Sequence, residues 1–154
     1  SLQVAIIEYA RNILGLTEAN TAEIDQNAKD NVIDLMAEQK SVTDMGATMR
    51  LGAYPATLVP GSKIAEIYGS NEISERHRHR YEVNNKYVPL LEEKGLVMSG
   101  KNLNLDLVET IELKEHPWFI AVQYHPEFKS KPTKPHPLFY RFVEASYNNK
   151  QKAK

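Results

Sequence analysis

Apolar and polar positions alternate at helical spacing almost from the first residue. Val4, Ile7, Ala10, Ile13 and Leu14 are apolar, while Glu8, Arg11 and Asn12 are polar, which predicts an amphipathic helix over 3–14. Gly15 gives that helix a stop, because the left-handed residue that closes a helix is least strained as glycine. The polar stretch 17–30 reads as a surface loop and 32–36 as a short strand. Residues 48–58 predict a strand pair interrupted by a turn at 52–55, and Pro60-Gly61-Ser62 a turn into a short helix over 63–68. The 76–83 run alternates like a strand, with charged residues on one side. A helical pattern over 86–94 stops at Gly95, and 96–99, 105–111 and 119–123 read as strands. Pro126 ends the last strand, and a Lys- and Pro-rich loop runs to Pro135. A closing helix over 136–147 is expected to bury Leu138, Phe139, Phe142 and Val143, with a frayed basic tail over 148–154.

Strands interspersed with helices favour an α/β or α+β sheet. The chain has 154 residues, 42% of them hydrophobic, enough for one core and hence one domain. Nineteen Lys and Arg balance twenty Asp and Glu, so no net field draws nucleic acid or acidic lipid, and a charged ligand must be held by a local cluster. No apolar run approaches the length of a membrane span, and no basic-then-apolar leader opens the chain, so a cytoplasmic protein without membrane or nucleic-acid partners is expected. Cysteine is absent, which excludes disulfides and thiolate metal sites and would by itself exclude a thiol nucleophile. The chain opens at Ser1 and enters its first helix with no lead-in strand, so Ser1 is read as a cut end.

Two constellations can carry chemistry. In Gln123-Tyr124-His125-Pro126-Glu127-Phe128 a strand ends in a motif where His125 can act as a base near neutral pH and Glu127 can fix its tautomer. Such a turn is also an ordinary strand terminator. In Arg76-His77-Arg78-His79-Arg80-Tyr81-Glu82-Val83-Asn84, alternation sends the three arginines to one face and the two histidines to the other. Arginine forks suit carboxylate or phosphate, whereas the neighbouring positive charges oppose a metal, so no metal site is expected. A plainer reading is an exposed strand with Glu72, Glu75 and Glu82 as salt-bridge partners.

The 76–84 run, together with Met45-Gly46-Ala47-Thr48-Met49-Arg50-Leu51-Gly52 and Ala19-Asn20-Thr21-Ala22-Glu23, resembles segments of the amidotransferase domain of CTP synthases, in the family's order. Residues 123–128 resemble the His-Pro-Glu motif of class I glutamine amidotransferases generally. The resemblance reaches to about Tyr147 and implies an α/β class I amidotransferase fold, a flavodoxin-like three-layer sheet truncated at its N-terminal strands. It implies hydrolysis of glutamine to glutamate and ammonia by a cysteine acting with His125 as acid/base and Glu127 as its orienter. Glu23 and Arg80 match positions that bind the amino-acid end of the substrate, and Gln3 a further glutamine-contacting position. The ammonia would pass to a synthetase domain, absent from this chain, that aminates ATP-activated UTP to CTP. ATP and Mg2+ belong to that domain; this chain is expected to need no cofactor, and the whole enzyme is expected to be a homotetramer.

The departure is at the start, where the family carries a Cys-Leu-Gly-Met-Gln type turn and this chain has Ser1-Leu2-Gln3. Aligned without gaps, the cysteine precedes Ser1, which then stands at the glycine position; a two-residue deletion would instead set Ser1 opposite the nucleophile. The first strands and an oxyanion-hole amide are also expected upstream. The rival reading is a non-catalytic glutamine-binding or assembly module derived from the same domain.

Overall fold

In the computed structural model, residues 1–36 and 49–153 are described. The 45–48 part of the segment that contributed to the resemblance lies outside them. Helix α1 (Leu2–Asn12) buries Leu2, Ile6, Tyr9 and Ala10, a narrower stripe than the apolar positions suggest, since Val4 and Ile13 face solvent. The Tyr9 hydroxyl donates to the Lys94 carbonyl at 2.6 Å, fastening the helix to a distant part of the chain.

Two sheets pack around this helix. The smaller holds β1 (Ala19–Thr21), β2 (Asp30–Asp34) and β5 (Glu82–Val83) in the order β1-β2-β5, with β1·β2 parallel and β2·β5 antiparallel. Strand β1 lies inside the expected loop 17–30: Ala19 and Asn20 have little strand propensity, and the strand exists because Ala19 and Thr21 are buried beside β2. The larger sheet runs β4-β3-β6-β7-β8 and is antiparallel throughout, from β3 (Arg50–Leu58), β4 (Glu72–His79), β6 (Leu96–Asn102), β7 (Leu107–Leu113) and β8 (Ile120–Val122).

Strand β3 is continuous where an interrupted pair was expected. Gly52 adopts φ +104° within the strand, which a side chain would resist. Pro55 is tolerated because the β6 ladder reaches only Thr57 and Leu58, leaving the side without an amide hydrogen unpaired. Helix α2 (Lys63–Tyr68) matches its expected bounds, capped by Ser62 Oγ, which accepts from Ala65 N at 3.3 Å, and closed by Gly69. A 3-10 turn (Asn85–Tyr87) leads into α3 (Val88–Glu93). Helix α4 (Pro137–Lys152) runs through most of the expected frayed tail.

The main core joins α1, α3 and both sheets; a smaller one gathers Leu58, Ile64, Ala65, Tyr124 and Leu138. Of the four α4 residues expected inside, only Leu138 is buried, while Phe139, Phe142 and Val143 are exposed. The reason is that α4 touches the rest of the described chain mainly through α2, a six-residue helix too short to cover its apolar stripe. At the foot of α4, His136 Nδ1 accepts from Leu138 N, so Nε2 carries the proton and donates to buried Glu75 at 2.8 Å. No described helix is long and apolar enough to cross a membrane.

Gly100 sits in the irregular β6·β7 pairing, where an added Cβ would lie 2.6 Å from Thr110 Oγ1 and 2.7 Å from Leu58 Cδ2. Gly100→Ala is therefore expected to destabilise the fold by about 1–3 kcal/mol. A urea midpoint equal to that of the unsubstituted chain would contradict this close packing.

Candidate active site

The end of β8 carries the first group. Gln123 N donates to the Glu109 carbonyl and His125 N to the Arg76 carbonyl, each at 2.9 Å, so both neighbouring strands hold the segment before it turns at Pro126. The 3-10 turn Pro126–Lys129 then brings Glu127 back beside His125, with Nδ1 and Oε1 2.7 Å apart. With Nδ1–H donating to the carboxylate, the bare Nε2 is free to accept a proton. Both side chains are solvent-accessible, at 39% and 55% exposure, as groups that meet a substrate must be. Desolvation raises the Glu127 pKa, but its own backbone N–H and the His125 ring together outweigh this and hold it below the usual carboxylate range.

The corner between β4 and β5 carries Arg80, which is half-buried, and Tyr81, which is buried. The Tyr81 carbonyl accepts from Gln3 Nε2 at 3.0 Å and from Gln123 Nε2 at 2.9 Å. Gln3 thereby joins α1 to the Arg80 corner, and Gln123 joins the His125 segment to it. Exposed Glu23 follows β1, its N–H donating to Thr21 Oγ1 at 3.2 Å. A cavity of about 270 Å³ is lined by Ala22, Gln26, Asp34, Leu35 and Tyr81, so Glu23 and Arg80 each adjoin a lining residue in the chain. Ser1 caps α1 through its carbonyl, which accepts from Ala5 N at 3.2 Å, with no side-chain cap.

Behind these groups lies a buried ionic cluster that the sequence reading missed. Arg50 donates through Nη2 to Glu109 Oε1 at 2.6 Å and through Nη1 to Glu82 Oε1 at 3.1 Å. His77 Nδ1 lies 2.7 Å from His79 Nε2, and His77 Nε2 lies 3.6 Å from Glu109 Oε2. The arginines and histidines of 76–80 do segregate as alternation predicts: Arg76 and Arg78 are exposed while His77 is buried. The expected exposed salt-bridge row is corrected, however, since Glu75 and Glu82 are buried and serve His136 and Arg50 instead. Alternation places Glu75 on the histidine face of β4, away from Arg76 and Arg78, whereas Glu82 is buried in β5, beyond the Arg80–Tyr81 corner.

His77, His79 and Glu109 form the one group among the described residues close enough to share a metal. The chemistry suits a cation poorly, because Arg50 already neutralises Glu109 and the two imidazoles bond each other. Burial, reinforced by the Arg50 charge, pushes His77 down to about 3 and His79 down to about 4. Burial also pushes Glu82 up to about 8 and Glu109 up to about 7 against the pull of Arg50. One guanidinium between two buried carboxyls thus favours retaining a proton.

These shifts set opposite limbs of a stability profile. Between the ordinary histidine value of 6.5 and the raised carboxyl value near 8, the folded chain binds more protons than the unfolded one, so stability falls as pH rises. Below the ordinary carboxyl value of 4.5, the depressed imidazoles make the unfolded chain bind more, so stability falls as pH drops; between 4.5 and 6.5 the effects oppose. The melting temperature is expected to be highest in that weakly acidic interval, and Glu82→Gln to flatten the alkaline limb. Melts from pH 5 to 8.5 that rise steadily would contradict the assignment.

The family model for "Glutamine amidotransferase class-I" matches residues 1–145. The chain belongs to that family. Class-I amidotransferase membership also establishes the expected α/β fold class. A CTP synthase of Syntrophus aciditrophicus is 52% identical over 151 residues, covering 98% of this chain and 28% of the relative. One from Bacillus subtilis is 56% identical over 145 residues, covering 94% of this chain and 27% of the relative. The solved structure "Trypanosoma brucei CTPS - glutaminase domain with bound acivicin" superposes with TM-score 0.87 at 38% identity, over 96% of this chain and 57% of that one. The amidotransferase chain thus spans a little over a quarter of the curated relatives it matches.

Proposed function

We propose that this chain is part of the glutamine-hydrolysing domain of a CTP synthase, in which it supplies the acid/base and the substrate clamp for releasing ammonia from glutamine. The observation that supports this best is the His125–Glu127 pair, 2.7 Å apart at a strand end, in a chain 52–56% identical to two CTP synthases over nearly its whole length. In this reading a thiol contributed from before Ser1 gives its proton to His125 Nε2 and, as the thiolate, attacks the side-chain amide carbon. His125 Nε2 hands a proton to the departing nitrogen, which leaves as ammonia, and then takes one from the water that cleaves the thioester, giving glutamate and the free thiol. Glu127 keeps the proton on Nδ1 so that Nε2 is the nitrogen that exchanges. Arg80 takes the substrate carboxylate and Glu23 its ammonium, beside the cavity at Ala22 and Tyr81, with Gln3 nearby.

The ammonia would then aminate ATP-activated UTP in a synthetase domain that brings its own ATP and Mg2+, within a cytoplasmic homotetramer. A non-catalytic glutamine-binding module is the second reading, favoured by the lack of any cysteine in the 154 residues. Arg80→Lys tests the clamp: it keeps the charge and loses the fork, and is expected to weaken glutamine use in the intact enzyme by about 1–3 kcal/mol while folding hardly changes. An unchanged ratio of glutamine- to ammonia-dependent CTP formation would remove Arg80 from the site.

A further inference from the structure

The Tyr81 carbonyl is where three separately built parts of the site meet. It lies between the end of β4 at His79 and the start of β5 at Glu82, so strand pairing does not fix it. Gln3 from the first turn of α1 and Gln123 from the segment after β8 both donate to it, 78 and 42 residues away along the chain. Two primary amides thus converge on one oxygen, with His79 Nδ1 also 3.2 Å from it. Gln123 Nε2 also lies 3.1 Å from His79 Nδ1, and His79 Nε2 lies 2.7 Å from His77 Nδ1, so the amide abuts the buried cluster. Arg80 immediately precedes the clamped peptide, and His125 is two residues beyond Gln123. The His125 segment is therefore tied to the arginine-bearing strand twice, by main chain at Arg76 and by side chain at Tyr81.

We propose that Gln123 is a positioning residue for glutamine hydrolysis: with Gln3 it clamps the Tyr81 peptide and so sets where Arg80 stands relative to His125. The proposal rests on the function given above. Gln123 itself, 8% exposed and occupied with Tyr81 and His79, touches no substrate in this account. Its loss should therefore act through Arg80 on the affinity for glutamine, and leave the use of free ammonia alone.

The test measures CTP formation by the intact enzyme from glutamine and from ammonium, with a thermal melt, for Gln123→Met, Gln3→Met and the pair. Either amide alone still holds the carbonyl, so Gln123→Met is expected to raise KM for glutamine about threefold with kcat and the ammonia reaction nearly unchanged, and Gln3→Met, which also removes a glutamine-contacting side chain, to raise it at least as much. The double change should raise KM at least about thirtyfold, more than the product of the singles, because the two donors share one acceptor. Gln123→Asn keeps an amide in the core one methylene short of the carbonyl, and should match Gln123→Met. Unchanged KM in the Gln123 variants, strictly multiplicative effects, equal loss of the ammonia reaction, or unfolding of both Gln123 variants would each overturn the positioning role. An unsubstituted enzyme that cannot use glutamine at all would instead overturn the functional reading on which it stands.

Discussion

Replacing His125 with alanine is expected to abolish glutamine-dependent CTP formation in the intact enzyme while leaving synthesis from added ammonia largely unchanged. The imidazole bonds Glu127, meets the Phe128 ring at 5.4 Å and is 39% exposed, so removing it subtracts chemistry and little packing. General acid–base catalysis contributes on the order of 100- to 10,000-fold, and that is the loss expected for the glutamine reaction. Glu127→Gln keeps a hydrogen-bonding group but loses the charge that fixes the tautomer, so its loss should be smaller. Equal damage to the ammonia reaction would make both residues structural.

Arg50→Met should have the largest effect on stability. Arg50 is 4% exposed and is the only described cation bonded to the two buried carboxyls of Glu82 and Glu109. Removing one partner of a buried ion pair leaves an uncompensated charge, and the cost is typically about 3–5 kcal/mol. The carboxyls can take up protons, as their raised pKa values indicate, so the loss should be smaller at pH 5 than at pH 8. Adding Glu82→Gln and Glu109→Gln to Arg50→Met should recover part of it. Urea unfolding of the single and triple variants at both pH values checks this; a single variant that loses less than about 1 kcal/mol at pH 8 would show that the cluster is solvated.

What was legible in the sequence was what local chemistry writes down. Ser62 and Gly69 bracket α2 with a cap and a left-handed stop, and the bounds came out correctly. The two-residue step from His125 to Glu127 is short enough that one tight turn brings the side chains together. Alternation put His77 and the arginines on opposite faces because the side-chain period of a strand leaves no choice. What failed depended on contacts distant in the chain. Strand β1 exists because β2 lies beside it, and β3 passes through Gly52 and Pro55 because β4 holds one edge while the other is open there. The Arg50–Glu109 pair joins residues 59 apart, and nothing near either residue announces it. The face of α4 was misread because periodicity reports an apolar stripe but cannot report whether anything covers it.

The most direct test of the account is ammonia release from glutamine by this chain and by a version extended upstream through a cysteine ahead of Ser1. The proposed chemistry needs a thiolate at the start of α1 for His125 to serve, and a serine hydroxyl there is a far weaker nucleophile. The extended protein should hydrolyse glutamine, and lose that activity on His125→Ala, whereas the 154-residue chain should not turn over. Turnover by the chain alone at a rate near that of the longer protein, or an extended protein indifferent to His125, would contradict it.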